Sequence, residues 1–327
     1  MPTMQQIHLD QALSDFGYGV LQDSSEHVAG GFFPITEVDQ LSNKYHVLPR
    51  NPFVRGDTRL STSLSEAPTF NFELSNDNYN CEIRRQGADV DEYKLRNADA
   101  VARRMYEEGA TRIATLNLLL THEIEWAAKF FLAGVWGKTV TGVAAAPGAN
   151  QFLQWNDAAS DPLADIGAAM LYVKLNGGLK PNRMLLGAEV WDVLSRHPKI
   201  VDRVKYTSAD AIGPAIVARL LGLERIVVAG AAKATNAVGQ AETYAFVHGK
   251  KALLAFCGEN GVGDLMPSAG RVFAWRGLNP GAIASRILGV DVIPMPLKKG
   301  VRYESAISYD NKMTGQQLGY FFETAVA

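Results

Sequence analysis

Cysteine is scarce in this sequence, and its scarcity argues against two kinds of structure. Only Cys81 and Cys257 occur among 327 residues, and they lie far apart along the chain. Disulfide-stapled folds and zinc sites both need several cysteines or histidines at short, regular spacings. A disulfide between Cys81 and Cys257 is one interpretation, but two free thiols in a reducing cytoplasm are favoured.

Long hydrophobic runs are also missing. No stretch reaches the roughly 18 apolar residues that indicate a membrane-spanning helix. Residues 1–23 lack the basic start and the apolar stretch of a secretory signal. We therefore expect a soluble protein that is made in the cytoplasm.

The sequence also lacks an excess of charge of either sign. The chain has 32 Lys and Arg residues against 34 Asp and Glu residues, a formal net charge of -2. A protein that grips nucleic acid through its phosphates usually carries a basic excess or a basic stripe, and neither is present. With 47% hydrophobic and 20% charged residues the composition is that of an ordinary folded protein. Its length predicts two core-bearing regions.

The motifs that could carry catalysis are incomplete. His122-Glu123 begins like the zinc-binding motif of a metalloprotease, but Trp126 stands where the second histidine should be. The glycine-rich stretch 258–263 has no Lys-Ser or Lys-Thr after it and no helix to present N–H groups to a phosphate. No Gly-x-Ser-x-Gly elbow of a serine hydrolase occurs. The sequence therefore predicts no catalytic, cofactor or metal site, and no enzyme.

The remaining reactive side chains have structural interpretations. Cys257 ends an apolar strand and is expected in the core, because a reactive thiol needs an electropositive, partly exposed setting. His197 precedes Pro198 at a predicted helix end, and a role at an interface stays open. His122 is interpreted as a packed or helix-surface residue. Two acidic pairs are interpreted as solvated faces, namely Asp89 with Asp91 and Glu107 with Glu108.

The first fifty residues are irregular, with apolar residues in small isolated groups. Such a segment buries little of its own surface and would not stay ordered alone. A floppy tail is one interpretation. An arm that lies across another surface is favoured by five aromatic residues, Phe16, Tyr18, Phe32, Phe33 and Tyr45.

Residues 70–83 alternate between apolar and polar side chains on both sides of a predicted turn at Ser75–Asn78. This period of two predicts a hairpin with one apolar face. A solvated surface loop and a protrusion that docks on a neighbouring subunit explain the pattern equally well. The apolar positions are Phe70, Phe72, Leu74, Tyr79, Cys81 and Ile83.

The strongest periodic signal predicts a long helix that Asn97 caps and that Gly134 or Gly137 ends. It would be on the order of 55 Å long, with a slight bend at Gly109. A helix of this length is unusual in a compact domain and suits a flat, extended subunit. Its predicted apolar stripe is Val101, Met105, Ile113, Leu116, Leu120, Ile124, Ala127, Phe131 and Val135.

Short helices and strands are predicted to mix on one core from about residue 162 to 285. Asp161-Pro162 starts the first helix, and Met184–Leu186 is typical of a buried strand. Residues 301–327 alternate and are predicted to be strands that join an earlier region. The other predicted elements are helices at Glu189–Arg196 and Pro214–Leu221, a strand at Arg225–Ala229, and strands Tyr244–Val247 and Ala252–Phe256 paired across residues 248–250.

Several of these segments, in their order and spacing, resemble the tailed-phage major capsid proteins, whose fold was first seen in a Hong Kong lambdoid phage. The similarity covers roughly residues 28 to 256. Near the start, Phe33-Pro34 precedes Lys44-Tyr45, as in the arm of that family. The more specific segments are Asp161-Pro162, Lys180–Gly187, Val190-Trp191, His197-Pro198, Asp202-Arg203, Lys205-Tyr206, Leu221–Leu223 and Gly249–Leu254.

The resemblance implies an α+β fold with five regions. These would be an N-terminal arm (1–52), an extended loop hairpin (53–94), a peripheral domain with a long spine helix (95–161), an axial domain (162–285) and further peripheral strands (286–327). The arm, the hairpin and the over-long helix would then bury their apolar faces between subunits.

The resemblance also implies a function and partners. Copies of the chain would form hexamers and pentamers that close into an icosahedral shell around double-stranded DNA, contacted non-specifically. A separate scaffolding protein, a portal and a decoration protein are the expected partners, with no membrane. Arg55, Arg59, Arg84 and Arg85 are candidates for salt bridges between subunits, or are simply solvated.

Two alternatives to a phage shell stay open at this point. An encapsulin-type bacterial nanocompartment shares the fold and would hold cargo enzymes instead of DNA. A two-domain α/β enzyme is the other alternative, and the absence of a catalytic constellation argues against it.

Overall fold

The structure is a computed structural model that describes residues 27–47, 75–204, 213–237, 239–258, 267–278 and 288–327. Within these ranges the helices are α1 (Glu92–Asn97), α2 (Ala100–Phe130), α3 (Pro162–Gly177), α4 (Ala188–Arg196), α5 (Pro198–Val204) and α6 (Pro214–Leu221). The strands are β1 (Ile35–Val38), β2 (Ser42–Val47), β3 (Ser75–Asn80), β4 (Glu82–Asp91), β5 (Lys138–Val143), β6 (Gln151–Leu153), β7 (Arg183–Gly187), β8 (Arg225–Ala229), β9 (Ala232–Ala234), β10 (Tyr244–Phe246), β11 (Ala252–Ala255), β12 (Gly270–Trp275), β13 (Leu288–Met295), β14 (Gly300–Met313) and β15 (Gly319–Glu323).

The predicted long helix is confirmed as α2, which has 31 residues and is therefore about 46 Å long. Its predicted ends are wrong. Asp99 caps it by accepting a hydrogen bond from the N–H of Ala102 at 2.7 Å, whereas Asn97 is the last residue of the short α1. The helix ends at Phe130, before either predicted glycine.

The predicted apolar stripe of α2 is wrong along the first half of the helix, where Val101, Met105 and Ile113 are exposed. The opposite face packs on β4 and β14, and it does so with small side chains that let the helix approach the sheet closely. Only in the second half do large apolar residues face inward. The buried positions are Ala110, Thr111, Ala114, Thr115, Leu118, Leu119, His122, Glu123, Trp126, Ala127 and Phe130.

The sheet beneath α2 has five strands, built on the 14-residue β14. One edge of β14 pairs with β4 over ten positions, from Gly300 with Asp91 to Tyr309 with Glu82. The other edge pairs first with β13 and then with β12. The early strand β1 runs parallel to β12, so a segment near the start of the chain completes this sheet.

The predicted hairpin turn at Ser75–Asn78 is wrong, because these residues belong to β3, which pairs with β2 in an antiparallel ribbon. Phe70, Phe72 and Leu74 lie outside the described residues. Tyr79 and Cys81 are buried against Phe273 of β12 as the predicted alternation requires, while Ile83 is exposed. Residues 76–78 lack apolar side chains, so local pattern alone did not reveal a strand.

A six-stranded sheet, ordered β6-β5-β15-β11-β7-β8, forms the second unit. Most of the predicted local elements of the mixed region are present, and Asp161 caps α3 as predicted by accepting from the N–H of Ala164 at 3.1 Å. Pro198 ends α4, as predicted, and also begins α5. The predicted pairing of Tyr244–Val247 with Ala252–Phe256 is wrong, since β10 pairs with β9 and β11 pairs with β7 and β15.

Each of the two large sheets combines strands from more than one predicted region. Strands β5 and β6, expected beside the long helix, pair in the six-stranded sheet, and so does β15 from the C-terminal region. Strand β12, expected in the mixed region, pairs in the five-stranded sheet. Strand partners far apart in sequence leave no local pattern, so periodicity does not reveal these pairings.

Among the described residues, the two largest hydrophobic cores follow from this arrangement, and the chain length predicts two core-bearing regions. One lies where the second half of α2 meets both sheets, and it includes Trp126, Phe130, Leu253 and Ile307. The other lies on the opposite face of the six-stranded sheet, beneath α3 to α6.

Candidate assembly surfaces

An exposed apolar stripe runs along the first half of α2. Val101, Met105 and Ile113 have 69%, 68% and 60% of their surface exposed, and Tyr106 beside them is also exposed. A contiguous apolar patch on a soluble protein usually marks an interaction site. This stripe therefore indicates a surface that another chain covers.

A second exposed stripe lies on α3. Leu171 and Leu175 are 69% and 76% exposed, and Ala164 and Ala168 are exposed on the same face. Because residues four apart are neighbours on a helix, the four side chains form a continuous apolar strip. The other face of α3 buries Ile166, Ala169 and Val173, so this helix is apolar on both sides. A helix of that kind is normally enclosed by protein.

In the described part of the chain, two sheets are antiparallel ribbons of only two strands each. In the β9–β10 ribbon, Tyr244 and Phe246 are exposed aromatic residues. In the β2–β3 ribbon, the Tyr45 hydroxyl donates to Asp77 at 2.7 Å, and the Tyr79 ring stacks on Phe273 with centroids 4.8 Å apart. Two-stranded ribbons are marginally stable alone, so each needs further packing.

The four arginines that are candidates for salt bridges between subunits differ in what the structure shows of them. Arg55 and Arg59 lie outside the described residues. Arg84 is engaged within the chain, because it donates to Glu82 and Glu125 at 2.8 Å each and lies over the Tyr309 ring. Only Arg85 keeps a largely exposed side chain, 3.7 Å from Glu304.

A polar cleft of about 240 Å³ surrounds Arg84, beside Glu125, Lys129 and Asp310. Burial alone would raise the pKa of Glu125, but donors on Arg84 and Tyr309 hold that pKa below its usual value. Lys129 lies 3.4 Å from Asp310. The charged groups of the cleft are thus engaged with one another, and the arrangement contains no activated nucleophile.

Three of the four acids interpreted as solvated have hydrogen-bond or ion-pair partners, although Asp89 and Asp91 stay exposed. Asp89 accepts two hydrogen bonds from Arg302, at 2.6 and 2.9 Å, which hold its pKa below the usual value. Asp91 caps α1 by accepting from the N–H of Tyr93 at 2.9 Å. Glu108 pairs with Arg104 along the helix. Long-range register brought Asp89 opposite Arg302, which the sequence pattern does not reveal.

Both cysteines are free and buried. Burial raises the pKa of each thiol to about 12, so both stay protonated near neutral pH, and the predicted core position of Cys257 is confirmed. His197 is buried with Nε2 3.2 Å from the Ser160 hydroxyl. Of the glycine-rich stretch 258–263, all but Gly258 lies outside the described residues.

His122 and Glu123 are both buried inside the molecule. His122 packs on the Tyr309 ring with centroids 4.0 Å apart, and burial lowers its pKa to about 4. Glu123 binds a segment that we call the arm root, residues 28–33. Its Oε2 accepts from the N–H groups of Val28 at 3.0 Å and Ala29 at 2.8 Å.

The arm root also contacts the six-stranded sheet. The carbonyls of Gly31 and Phe32 accept from Arg225 at 3.0 Å and Arg183 at 2.8 Å. Phe32 and Phe33 are fully buried against Trp126. No sequence pattern predicted this contact of the arm root with α2 and the six-stranded sheet. The one sequence feature that pointed to it is Glu123, an acidic residue inside the apolar stretch that ends α2.

In the part of the chain that the structure describes, no group of His, Cys, Asp and Glu side chains gathers to hold a metal ion. Likewise, none of the described helices has the length and apolar character needed to cross a membrane.

Comparison with known sequences identifies a phage relative. No protein-family model matches the chain. Over 178 residues it is 32% identical to a protein named major capsid protein from Pseudomonas phage JBD67, and the match covers 53% of each sequence. The chain therefore spans about half the length of this curated relative.

Comparison with solved structures covers nearly the whole chain. A phage-related protein from Bordetella bronchiseptica RB50 aligns with a TM-score of 0.69 and 22% identity over 98% of both chains. The capsid of cyanophage P-SCSP1u gives 0.54 at 8% identity, over 89% of this chain and 86% of that one. A virus-like particle from Pyrococcus furiosus gives 0.52 at 10% identity, over 96% and 98%. The predicted α+β fold of the phage capsid proteins is confirmed.

Proposed function

We propose that this chain, which has the fold of tailed-phage capsid proteins, is the major capsid subunit of a closed icosahedral shell around double-stranded DNA. The observation that carries the proposal is the pair of exposed apolar stripes on α2 and α3. An isolated monomer would leave both stripes in water, whereas large interfaces between copies would bury them.

We keep the predicted regions of the subunit but assign the peripheral and axial domains according to which sheet each strand belongs to. The five-stranded sheet and α2 would form the peripheral domain, and the six-stranded sheet with α3 to α6 would form the axial domain. Residues 1–52 would be the N-terminal arm. Residues 53–94 would include the extended loop, with the β2–β3 ribbon at its base. Contacts of the loop and the arm with neighbouring copies are part of the proposal.

The partners are proposed on the same basis. Copies would meet in hexamers and pentamers in the host cytoplasm and end in the virion. A separate scaffolding protein, a portal and a decoration protein would complete the particle. The near-balanced charge supports a shell that holds DNA without gripping it, because each neutralised phosphate adds salt-dependent affinity.

A structural role also agrees with the chemistry of the described residues. The acids and bases of the polar cleft are engaged with one another, and the two thiols are buried. We therefore propose no enzymatic activity, and turnover in a broad hydrolase and dehydrogenase screen would contradict this.

The test is negative-stain electron microscopy of the purified chain, expressed alone and together with its neighbouring genes. Closed angular shells, tubes or ring-shaped capsomers are expected. DNA inside the particles would support a phage head, and a protein cargo would support a nanocompartment instead. A uniform monomer or dimer under all conditions would refute the shell.

A further inference from the structure

At the contact between Glu123 and the arm root, a fully buried carboxyl group binds backbone N–H groups. Among the described residues, no lysine or arginine side chain binds this carboxyl group. Oε2 accepts from Val28 and Ala29. The second oxygen, Oε1, lies 3.5 Å from Nε2 of His248. Within the described ranges neither ring nitrogen of His248 has a hydrogen-bond partner. The carboxyl group thus lies between the arm root and the turn that precedes β11.

Burial acts in opposite directions on these two groups. It raises the pKa of Glu123 to about 7, although the two N–H donors oppose the shift. It lowers the pKa of His248 to about 4. Near neutral pH the imidazole is therefore uncharged, and it offers no positive charge to balance an ionised Glu123.

A protonated Glu123 fits this surrounding better than the anion does. Oε2 can go on accepting both N–H groups, while a protonated Oε1 carries no charge and so needs no cation beside it; Nε2 of His248 lies 3.5 Å from it. The anion would be buried without a cation, which is unfavourable. Several ionisable groups surround the contact between Glu123 and the arm root. They are His27 next to the arm root, His122 and Glu123 on α2, His248 on the turn, and Arg183 and Arg225 on the six-stranded sheet.

We propose that Glu123 is a proton-linked latch, which holds the arm root on α2 and the six-stranded sheet while protonated and loosens it on ionisation. A released carboxyl group regains water, so the open state binds protons less tightly than the docked state. Docking of the arm root is then strongest below pH 4.5, which is the ordinary pKa of a glutamate side chain, and weakens as pH rises toward and past 7. The latch belongs to the single chain and does not depend on shell formation.

Hydrogen exchange of the Val28 and Ala29 amides tests the latch, because these are the N–H groups that Glu123 binds. The unassembled full-length chain is measured from pH 5 to pH 8, with rates divided by the intrinsic rate at each pH. The two pKa values of the open and docked states predict that protection falls by between tenfold and a hundredfold over this range. Protection in Glu123→Gln, a neutral mimic of the protonated acid, should stay constant.

Two further variants separate the latch from a general effect of charge. Glu125→Gln removes a carboxyl group from the same helix that does not contact the arm root, so it should keep the wild-type pH profile. Glu123→Ala, which lacks the acceptor, should leave both amides unprotected at every pH. Protection in the wild-type chain that does not change between pH 5 and pH 8 would overturn the proposal, even if no variant folds. So would a Glu123→Gln profile that follows the wild type, or full protection in Glu123→Ala.

Discussion

Phe33 shows how much of the fold depends on a single side chain of the arm root. Its ring is fully buried and lies 4.8 Å from Phe130, 5.5 Å from Trp126 and 6.0 Å from Trp136, measured between centroids. Interlocking aromatic rings of this kind leave a cavity when one is removed. The residue therefore connects a segment near the start of the chain to the main core.

Replacing Phe33 with alanine should lower the free energy of unfolding by about 3–5 kcal/mol. Urea denaturation of the unassembled chain measures the change. Phe246→Ala is the matched control, because Phe246 is exposed and its loss should change stability by about 0.5 kcal/mol or less. Equal effects of the two variants would contradict the packing described for the arm root.

The buried histidines predict a dependence of stability on pH with a definite sign. Burial lowers the pKa of both His122 and His248 from the ordinary 6.5 to about 4. The unfolded chain therefore binds more protons between these values, so the stabilisation is present above pH 6.5 and is lost as pH falls toward 4. Each histidine can contribute about 3 kcal/mol to this change.

The measurement is best made in Glu123→Gln, since the raised pKa of Glu123 gives a slope of the opposite sign. Urea unfolding at pH 4.5 and pH 7 should show a smaller difference in His122→Gln Glu123→Gln than in Glu123→Gln alone. A difference that is unaffected by removing His122 would show that its imidazole is not held neutral by burial.

At the scale of elements, the exposed stripe of α2 should matter for assembly and little for folding. Met105→Lys with Ile113→Lys places two charges where an interface is proposed, so shells should not form, while the unfolding free energy changes by about 1 kcal/mol or less. Electron microscopy measures whether shells form, and urea denaturation of the same preparation measures the unfolding free energy.

Thr121→Lys with Ala128→Lys is the matched control, because it adds two charges at exposed positions in the second half of α2, beyond the stripe. It should assemble like the parent chain. Normal shells from the double variant would exclude this face of α2 from the interfaces.

The helix α2 also shows what a sequence can and cannot predict about this fold. Its existence was clear, because apolar residues that recur every three or four positions over many turns are typical of a helix. The buried face was assigned wrongly, since Ala110, Thr111, Ala114 and Thr115 carry little hydrophobic signal although they face the sheet. Stronger residues on the outer face dominated the pattern, and those residues are the candidate interface.

Elements that depend on distant partners were less predictable than α2. Tyr79 lies in a strand as predicted, whereas Cys81 lies between β3 and β4. The partner of β3 is β2, in which Ser42 pairs with Asn80. Glu123 stands out as an acidic residue in an apolar stretch, but nothing near it in sequence indicates that its partner is the arm root, 94 residues away. Contacts of this kind are fixed by the tertiary arrangement and not by neighbouring residues.

For the whole molecule, the shell proposal implies a change of state when DNA is packaged. A compact precursor shell should expand into a larger, thinner and more angular one, with the extended loop and the arm docking anew on their neighbours. Cryo-electron microscopy of DNA-free and DNA-filled particles measures both. Identical diameters and arm positions in the two would contradict the expansion.

Strands β14 and β15 lie inside their sheets rather than at the edges, and both follow in sequence every strand that they pair with. On the ribosome, β4, β12 and β13 must wait for β14, and β5 and β11 must wait for β15. The five-stranded sheet cannot close until translation has passed residue 313, nor the six-stranded sheet until it has passed residue 323, because β14 and β15 are the last described strands of their sheets to be made. A nascent chain would therefore lack its finished sheets until β15 has been made, which delays contact with other copies until both sheets of a subunit can form.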